Sequence, residues 1–291
     1  MSTLAENVAK VTAAHAALKE AIAAKGVAVP DGTKLSEMPA LVDRIETPPV
    51  PTNQRAVFAH DTFATSLTVP SVLVVDMKEC DSLYYCFYGC GSLTSLTLPA
   101  GFGSVATGLG SCFYGCGSLT SLTLPAGFGS VATGLSYCFY GCGSLTSLTL
   151  PAGFGSVATG LSYCFSSCSA LTSLTLPAGF GSVAKSLSYC FRGCGSLTSL
   201  TLPAGFGSEA DSLSSCFYGC TALTTIMGEP NFKANVVLSE STKLTHDSIM
   251  VIINGLQTAT ARRVLTLGAT NLAKLTNEDK AVATDKGWTL A

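Results

Sequence analysis

Twelve of the thirteen cysteines in this 291-residue chain fall in six Cys-x-x-x-Cys pairs, at Cys86/Cys90, Cys112/Cys116, Cys138/Cys142, Cys164/Cys168, Cys190/Cys194 and Cys216/Cys220, and Cys80 stands alone. Each pair follows the previous one by twenty-six residues. Three uses are open to such an array. The cysteines can be buried thiols acting as small hydrophobes. They can be disulfides, because coils stacked about 5 Å apart bring equivalent Cα atoms within bridging range. They can be metal ligands. The odd count and the lack of an export signal weigh against disulfides. Zinc sites use Cys-x-x-Cys or a nearby histidine, and no histidine lies among the pairs. Buried thiols are the favoured reading, and no metal or cofactor is expected.

Acid–base or nucleophilic catalysis needs unlike groups converging at one point. Ser, Thr, Tyr and Cys abound between Ser82 and Met227, but the only charges there are Lys185, Arg192, Glu209 and Asp211. The histidines, His15, His60 and His246, all lie outside that stretch. No enzyme is expected. Gly-Phe-Gly-Ser lacks the Lys-Ser/Thr of a phosphate-binding loop and reads as a turn. A formal charge of −2 without basic clusters excludes gripping DNA or RNA. The opening residues show no secretory pattern and no stretch is long enough to span a bilayer, so a soluble chain is expected.

What must position these residues is the repeat itself. The unit Cys-Phe-Tyr-Gly-Cys-Gly-Ser-Leu-Thr-Ser-Leu-Thr-Leu-Pro-Ala-Gly-Phe-Gly-Ser-Val-Ala-Thr-Gly-Leu-Ser-Tyr recurs from Cys86 to about Tyr218. A unit this short cannot enclose its own apolar side chains, so copies stack into a solenoid. In each, Leu93-x-x-Leu96-x-Leu98 predicts a short strand with Leu96 and Leu98 inward, and Pro99 ends it. Phe102, Val105 and Leu109 are expected as inward anchors. Cys112 to Cys116 is expected to close the coil as a helical turn, with Cys112, Phe113 and Cys116 inside and Tyr114 outside. Each coil then buries about nine side chains, at ~1.5–3 kcal/mol for each larger one.

Stacked strands make a parallel sheet. Outward rows follow: Ser95, Ser121, Ser147, Ser173 and Ser199 in one, and Thr97, Thr123, Thr149, Thr175 and Thr201 in the other. Elsewhere run Tyr85, Tyr137, Tyr163, Tyr189 and Tyr88, Tyr114, Tyr140, Tyr218. Such hydroxyls and rings suit many modest contacts to a surface glycan or a protein receptor. Ser95, Thr97, Ser121, Thr123, Ser147, Thr149, Ser173, Thr175 and Thr201 are the candidate ligand-binding residues. A rigid spacer or an ice-binding lattice is the competing use. The four charges sit in the last two units, either as a contact patch or as drift after duplication.

The flanks differ. Thr3 to Lys25 reads as a helix in which Leu4, Val8, Val11, His15, Leu18 and Ile22 form a seam for a homo-oligomer, or pack on the chain's own neighbour. A second helix is expected over Leu35 to Ile45, and Thr47-Pro-Pro-Val-Pro-Thr-Asn53 is a stiff linker. The expected divisions are 1–46 helical attachment and oligomerisation, 47–54 linker, 55–85 N-terminal cap repeat, 86–225 repeats and 226–291 C-terminal cap. In the last, Leu244 to Leu256 reads as a helix capped by Thr245 or Asp247. Val264 to Leu267 reads as a strand, and Thr276-Asn-Glu-Asp279 as a capping box opening a final helix. Trp288 is expected to pack under the chain end.

Leu93-x-x-Leu96-x-Leu98-Pro99 followed by Cys112-Phe113-x-x-Cys116 resembles the BspA-like class of bacterial leucine-rich repeats, over roughly Leu67 to Leu223. The resemblance implies a leucine-rich-repeat solenoid, right-handed and curved, with short parallel strands on the concave face and turns and helical turns on the convex face. It also implies adhesion or recognition. This chain's unit is three residues longer than that family's usual one. Val27 to Ile45 resembles attachment segments of phage and prophage tail-fibre-type proteins, and Leu244 to Trp288 resembles the ends of gut-bacterial repeat proteins. The implied place is a phage virion or a bacterial surface. The implied role is tail-fibre-type receptor binding, with a bacterial adhesin for a host protein or glycan as the alternative.

Overall fold

The computed structural model describes residues 66–68 and 82–291. The two expected N-terminal helices, the Leu4–Ile22 seam, the linker and Cys80 lie outside these residues. Three-residue strands recur as β1 (Ser66–Thr68), β2 (Ser95–Thr97), β3 (Ser121–Thr123), β4 (Ser147–Thr149) and β5 (Ser173–Thr175). The series lengthens to β6 (Ser199–Leu202) and β7 (Thr225–Gly228). All pairing is parallel and each residue meets its repeat equivalent, Ser121 opposite Ser147 and Ser173 opposite Ser199. β1 pairs with β2 across twenty-nine residues, Ser66 opposite Ser95, so the three extra residues before Cys86 are absorbed outside the strands.

The expected single sheet is instead three segments, β1-β2, β3-β4 and β5-β6-β7. Strands of three residues offer few ladder bonds, and a second ladder carries more of the stacking. From Leu109 to Gly115, alternate N–H groups donate to the next coil: Leu109 to Gly134 O (2.9 Å), Ser111 to Ser136 O (3.0 Å), Phe113 to Cys138 O (2.8 Å) and Gly115 to Tyr140 O (2.7 Å). The intervening N–H groups close tight turns within the coil, Cys112 to Leu109 O and Tyr114 to Ser111 O, both 3.2 Å. The Cys-x-x-x-Cys segment is therefore a chain of turns and not the helical turn expected. Helical bonding would spend every N–H inside its own coil, leaving none to stack.

This alternation has a backbone cost. Tyr85, Ser111, Tyr137, Tyr163, Tyr189 and Ser215 form one column, all with φ between 51 and 61°. Left-handed conformations of this kind cost roughly 1–2 kcal/mol for a residue with a Cβ. Gly occupies the second such position, except at Ser167 (φ 63°). From Tyr85 to Tyr189 each of these residues donates its N–H to the next coil, which offsets this cost.

Two phenylalanine columns fill the core, Phe87 to Phe217 and Phe102 to Phe232, all fully buried. Within the first, successive rings stack at 5.2–5.8 Å. Val105 does not point inward as expected: Val105, Val131, Val157 and Val183 are exposed, and the buried anchors are Ala106, Ala132, Ala158 and Ala184. A turn closed by Ala132 N–H on Gly129 O (3.3 Å) puts Val131 on the outer corner and the Ala132 methyl inside.

Beyond β7 the chain changes character. β8 (Val236–Val237), β9 (Arg263–Thr266) and β10 (Trp288–Leu290) form a parallel sheet in the order β10-β9-β8. Helices α1 (His246–Asn254), α2 (Gly268–Leu272) and α3 (Asn277–Asp285) accompany it. Of the two candidate caps Thr245 is the one that caps α1, with Asp247 in its first turn, and Thr276 with Asp279 forms the capping box of α3 as read from the sequence. Trp288 is buried and its Nε1–H donates to Gln257 O at 2.7 Å.

This region completes the bonding of the last coil. Gly219 N–H, whose equivalents in earlier coils donate to a backbone carbonyl of the next coil, donates to Glu240 Oε2 at 2.8 Å. Ser241 Oγ donates to Cys220 O. The buried Ser248 hydroxyl accepts from Ile226 N–H (3.0 Å) and donates to Thr224 O (3.1 Å). Unpaired edge groups are thus met by side chains.

Candidate functional site

The strands set the site. Their period of two sends Leu122, Leu148 and Leu174 into the core and leaves Ser and Thr on either side outward. Ser95, Thr97, Ser121, Thr123, Ser147, Thr149, Ser173 and Thr175 are exposed, and Ser199 and Thr201 half-buried. In-register pairing brings them together as two rows within each sheet segment.

Neighbouring hydroxyl rows are engaged internally. Thr146, Thr172 and Thr198 donate to the carbonyls of Thr120, Thr146 and Thr172 at 3.2, 3.4 and 3.0 Å. Ser162 bonds Ser186, and Ser188 bonds Ser212, both at 2.7 Å. The hydroxyls of the two strand rows, by contrast, have no hydrogen-bond partner among the described residues. An open depression of about 380 Å³ lies among them, lined by Ser147, Leu148, Thr149, Leu150, Ser173, Thr175 and Pro177. It sits at the β4–β5 step, where the strand ladder is interrupted.

The twelve described paired cysteines are free, buried thiols. Cys116, Cys142, Cys168, Cys194 and Cys220 donate Sγ–H to Phe carbonyls of the preceding coil at 3.2–3.3 Å. Burial pushes them well above the usual thiol range, Cys220 up to about 12. A thiol held protonated is a poor nucleophile. Among the described residues no group of three or more His, Cys, Asp or Glu is placed to hold a metal ion.

The tyrosines do not stand apart as display groups; they stack. Tyr88, Tyr114 and Tyr140 lie at 4.6 and 4.7 Å between centroids, and Tyr137, Tyr163 and Tyr189 at 4.6 and 4.5 Å. The first column stops at Ser166, whose buried Oγ has no hydrogen-bond partner among the described residues. Arg192, in the next tyrosine slot, lies over the rings of Tyr189 (5.9 Å) and Tyr218 (5.6 Å). The other late charges pair, Lys185 with Glu209 at 2.9 Å and Lys233 with Asp211 at 3.2 Å. Both pairs are exposed and contribute little.

Two features escaped the sequence reading. Tyr84 lies over the backbone of Gly108 and Gly110, where an added Cβ would sit 2.3 and 2.2 Å from its ring. Gly110 and Ser111 replace the Ser136 and Tyr137 of the next coil, so the small residues match the large one. His246 links α1 to α3, with Nε2 3.0 Å from Asp279 and Nδ1 3.2 Å from Asp247. The carboxylates, Asp279 foremost, hold it above the usual histidine range. Repetition concealed the first, and thirty-three residues of separation the second.

Stacked coils with short in-register parallel strands, each anchored by inward leucines, define a leucine-rich-repeat protein. The chain belongs to the BspA type leucine rich repeat family, whose region matches residues 83–224 and 135–249 in six copies. Among solved structures it is similar to a leucine-rich repeat protein of T. pallidum, at 24% identity over 68% of this chain and 87% of that one, TM-score 0.46. It is also similar to a leucine rich cell surface protein of Faecalibacterium prausnitzii A2-165, at 17% identity over 59% and 61%, TM-score 0.30. A leucine-rich repeat protein of Bacteroides ovatus ATCC 8483 matches at 16% identity over 84% and 91%, TM-score 0.21. No curated protein matches the chain.

Proposed function

We propose that this is a recognition and adhesion protein that engages a surface glycan or protein receptor through the strand-borne Ser and Thr rows. The observation that supports this is the contrast between rows. The Thr146, Thr172 and Thr198 hydroxyls bond to the preceding coil, whereas those of Ser121, Thr123, Ser147, Thr149, Ser173 and Thr175 are exposed and have no hydrogen-bond partner among the described residues, with an open depression among the last four. Exposed hydroxyls at a fixed repeat distance give many weak contacts in register, and weak contacts gain from multivalency.

Membership of a BspA-type family favours a bacterial cell surface, and no described helix is long and apolar enough to cross a membrane. The finer reading, a tail-fibre-type receptor-binding component of a phage or prophage, rests on the resemblance of residues 27–45. In this proposal residues 1–46 attach and oligomerise through Leu4 to Ile22, 47–54 link, 55–85 begin the stack, 86–225 present the rows and 226–291 end it. Glu240, Ser241 and Ser248, bonded to the last coil, support that last assignment.

A glycan and receptor-protein array comparing the full chain with a variant carrying Thr97→Lys, Thr123→Lys, Thr149→Lys and Thr175→Lys tests the site. Loss of binding with the thermal midpoint retained is expected, and undiminished binding would remove the strand face from consideration. Light scattering tests the oligomer separately: a monomer removes the multivalency argument and leaves the binding face standing.

A further inference from the structure

We propose that the stacked tyrosines are a site of oxidative modification, at which a one-electron oxidant of the peroxidase class joins neighbouring coils through dityrosine. Four pairs have the geometry. Tyr88–Tyr114, Tyr114–Tyr140, Tyr137–Tyr163 and Tyr163–Tyr189 lie 4.5–4.7 Å apart between ring centroids, with planes within 12° of parallel. Each pair is held by backbone on both sides, for instance by Phe113 N–H to Cys138 O at 2.8 Å and Gly115 N–H to Tyr140 O at 2.7 Å. Two reacting groups fixed face to face meet without the entropy loss of a bimolecular encounter. The rings are half-buried, and Tyr137 is exposed, so an outside oxidant reaches them. The twelve paired thiols that would compete for it are buried in the core.

The chemistry balances. Each of two phenols gives one electron and its hydroxyl proton to the peroxidase, which returns hydrogen peroxide as two waters. The two phenoxyl radicals form one carbon–carbon bond between positions ortho to oxygen. The hydrogen on each coupling carbon then moves to the phenolic oxygen, restoring both rings. The products are a biphenol, lighter by two hydrogen atoms, and a covalent tie between residues twenty-six apart. Ser111 and Ser166 interrupt the columns, which limits the ties to one three-ring stack on each.

The test is treatment of the full chain with a haem peroxidase and hydrogen peroxide, followed by intact mass, dityrosine fluorescence and mapping of linked peptides. Expected are links between residues twenty-six apart, at a yield independent of protein concentration, lost when the protein is unfolded in guanidinium before oxidation. Tyr114→Phe with Tyr163→Phe keeps the middle ring of both stacks but removes its phenol, and should abolish those links, leaving any within-coil links such as Tyr137–Tyr140. Links only between chains, or consumption of cysteine without dityrosine, overturn the proposal. So does an equal yield in unfolded protein, a readout that does not depend on the variant folding.

Discussion

The strand face and the tyrosine face arise from the same twenty-six residues, yet they hold the coils together by different means. On the tyrosine face alternate N–H groups bridge every step from Leu83 to Gly193, rings stack on rings, and strained tyrosines are kept in place. On the strand face the ladder is broken into three segments and two hydroxyl rows remain unbonded. The difference teaches that a repeat can divide its labour. The tyrosine edge spends its backbone N–H groups on stacking, whereas the strand-borne Ser and Thr hydroxyls keep theirs without a partner among the described residues.

The comparison breaks most severely through what both faces share. Phe139→Ala, in the stacked core column, should cost about 3–5 kcal/mol, read as a fall in the denaturation midpoint. An equal midpoint would mean that the column is not what the coils lean on. Gly110→Ser restores the residue of the other coils but drives a side chain into Tyr84, at a cost of about 1–3 kcal/mol. Adding Tyr84→Ser should return most of that loss, and absence of rescue would show that the match between the two is incidental.

On the strand face, Thr123→Ala and Thr175→Ala should each change stability by less than about 0.5 kcal/mol, since neither hydroxyl has an internal partner. A larger cost would mean that the rows serve stacking after all. The smallest effect is expected from His246, which is exposed, and its half-buried partner Asp279. His246 is raised, so its contribution is complete below the ordinary histidine value of about 6.5 and fades as pH rises through its higher folded value. Asp279 is lowered by the same bond, so its contribution is complete above the ordinary carboxylate value of about 4 and fades as pH falls through its lower one. Midpoints between those limits should be flat, and Asp279→Asn should flatten both shoulders.

Much of this was legible in the residues. Leu122 and Leu148 inside, Thr123 and Thr149 outside, Thr245 and the Thr276/Asp279 capping box follow from periods and local bonding that act within a few residues. Val105 was misplaced because valine is the larger hydrophobe, and size alone does not reveal that the turn carries Val105 outward and Ala106 inward. The Cys112–Cys116 turns were misread because helix and turn share the same short-range bonds, and the deciding N–H groups pair with a coil twenty-five residues away. Nor does the repeat announce which hydroxyl rows are free, since Thr146 and Thr149 are the same residue type in one unit.

By itself the sequence determined that copies must stack, with Leu, Phe and Cys inside, because a unit of this size leaves its apolar face bare until a neighbour covers it. Only the tertiary structure decided which edge carries the inter-coil bonds, which hydroxyls stay unspent and which tyrosines touch. Those outcomes depend on distances between residues a full coil apart, where backbone turns of a few degrees choose between bonding inward and bonding across.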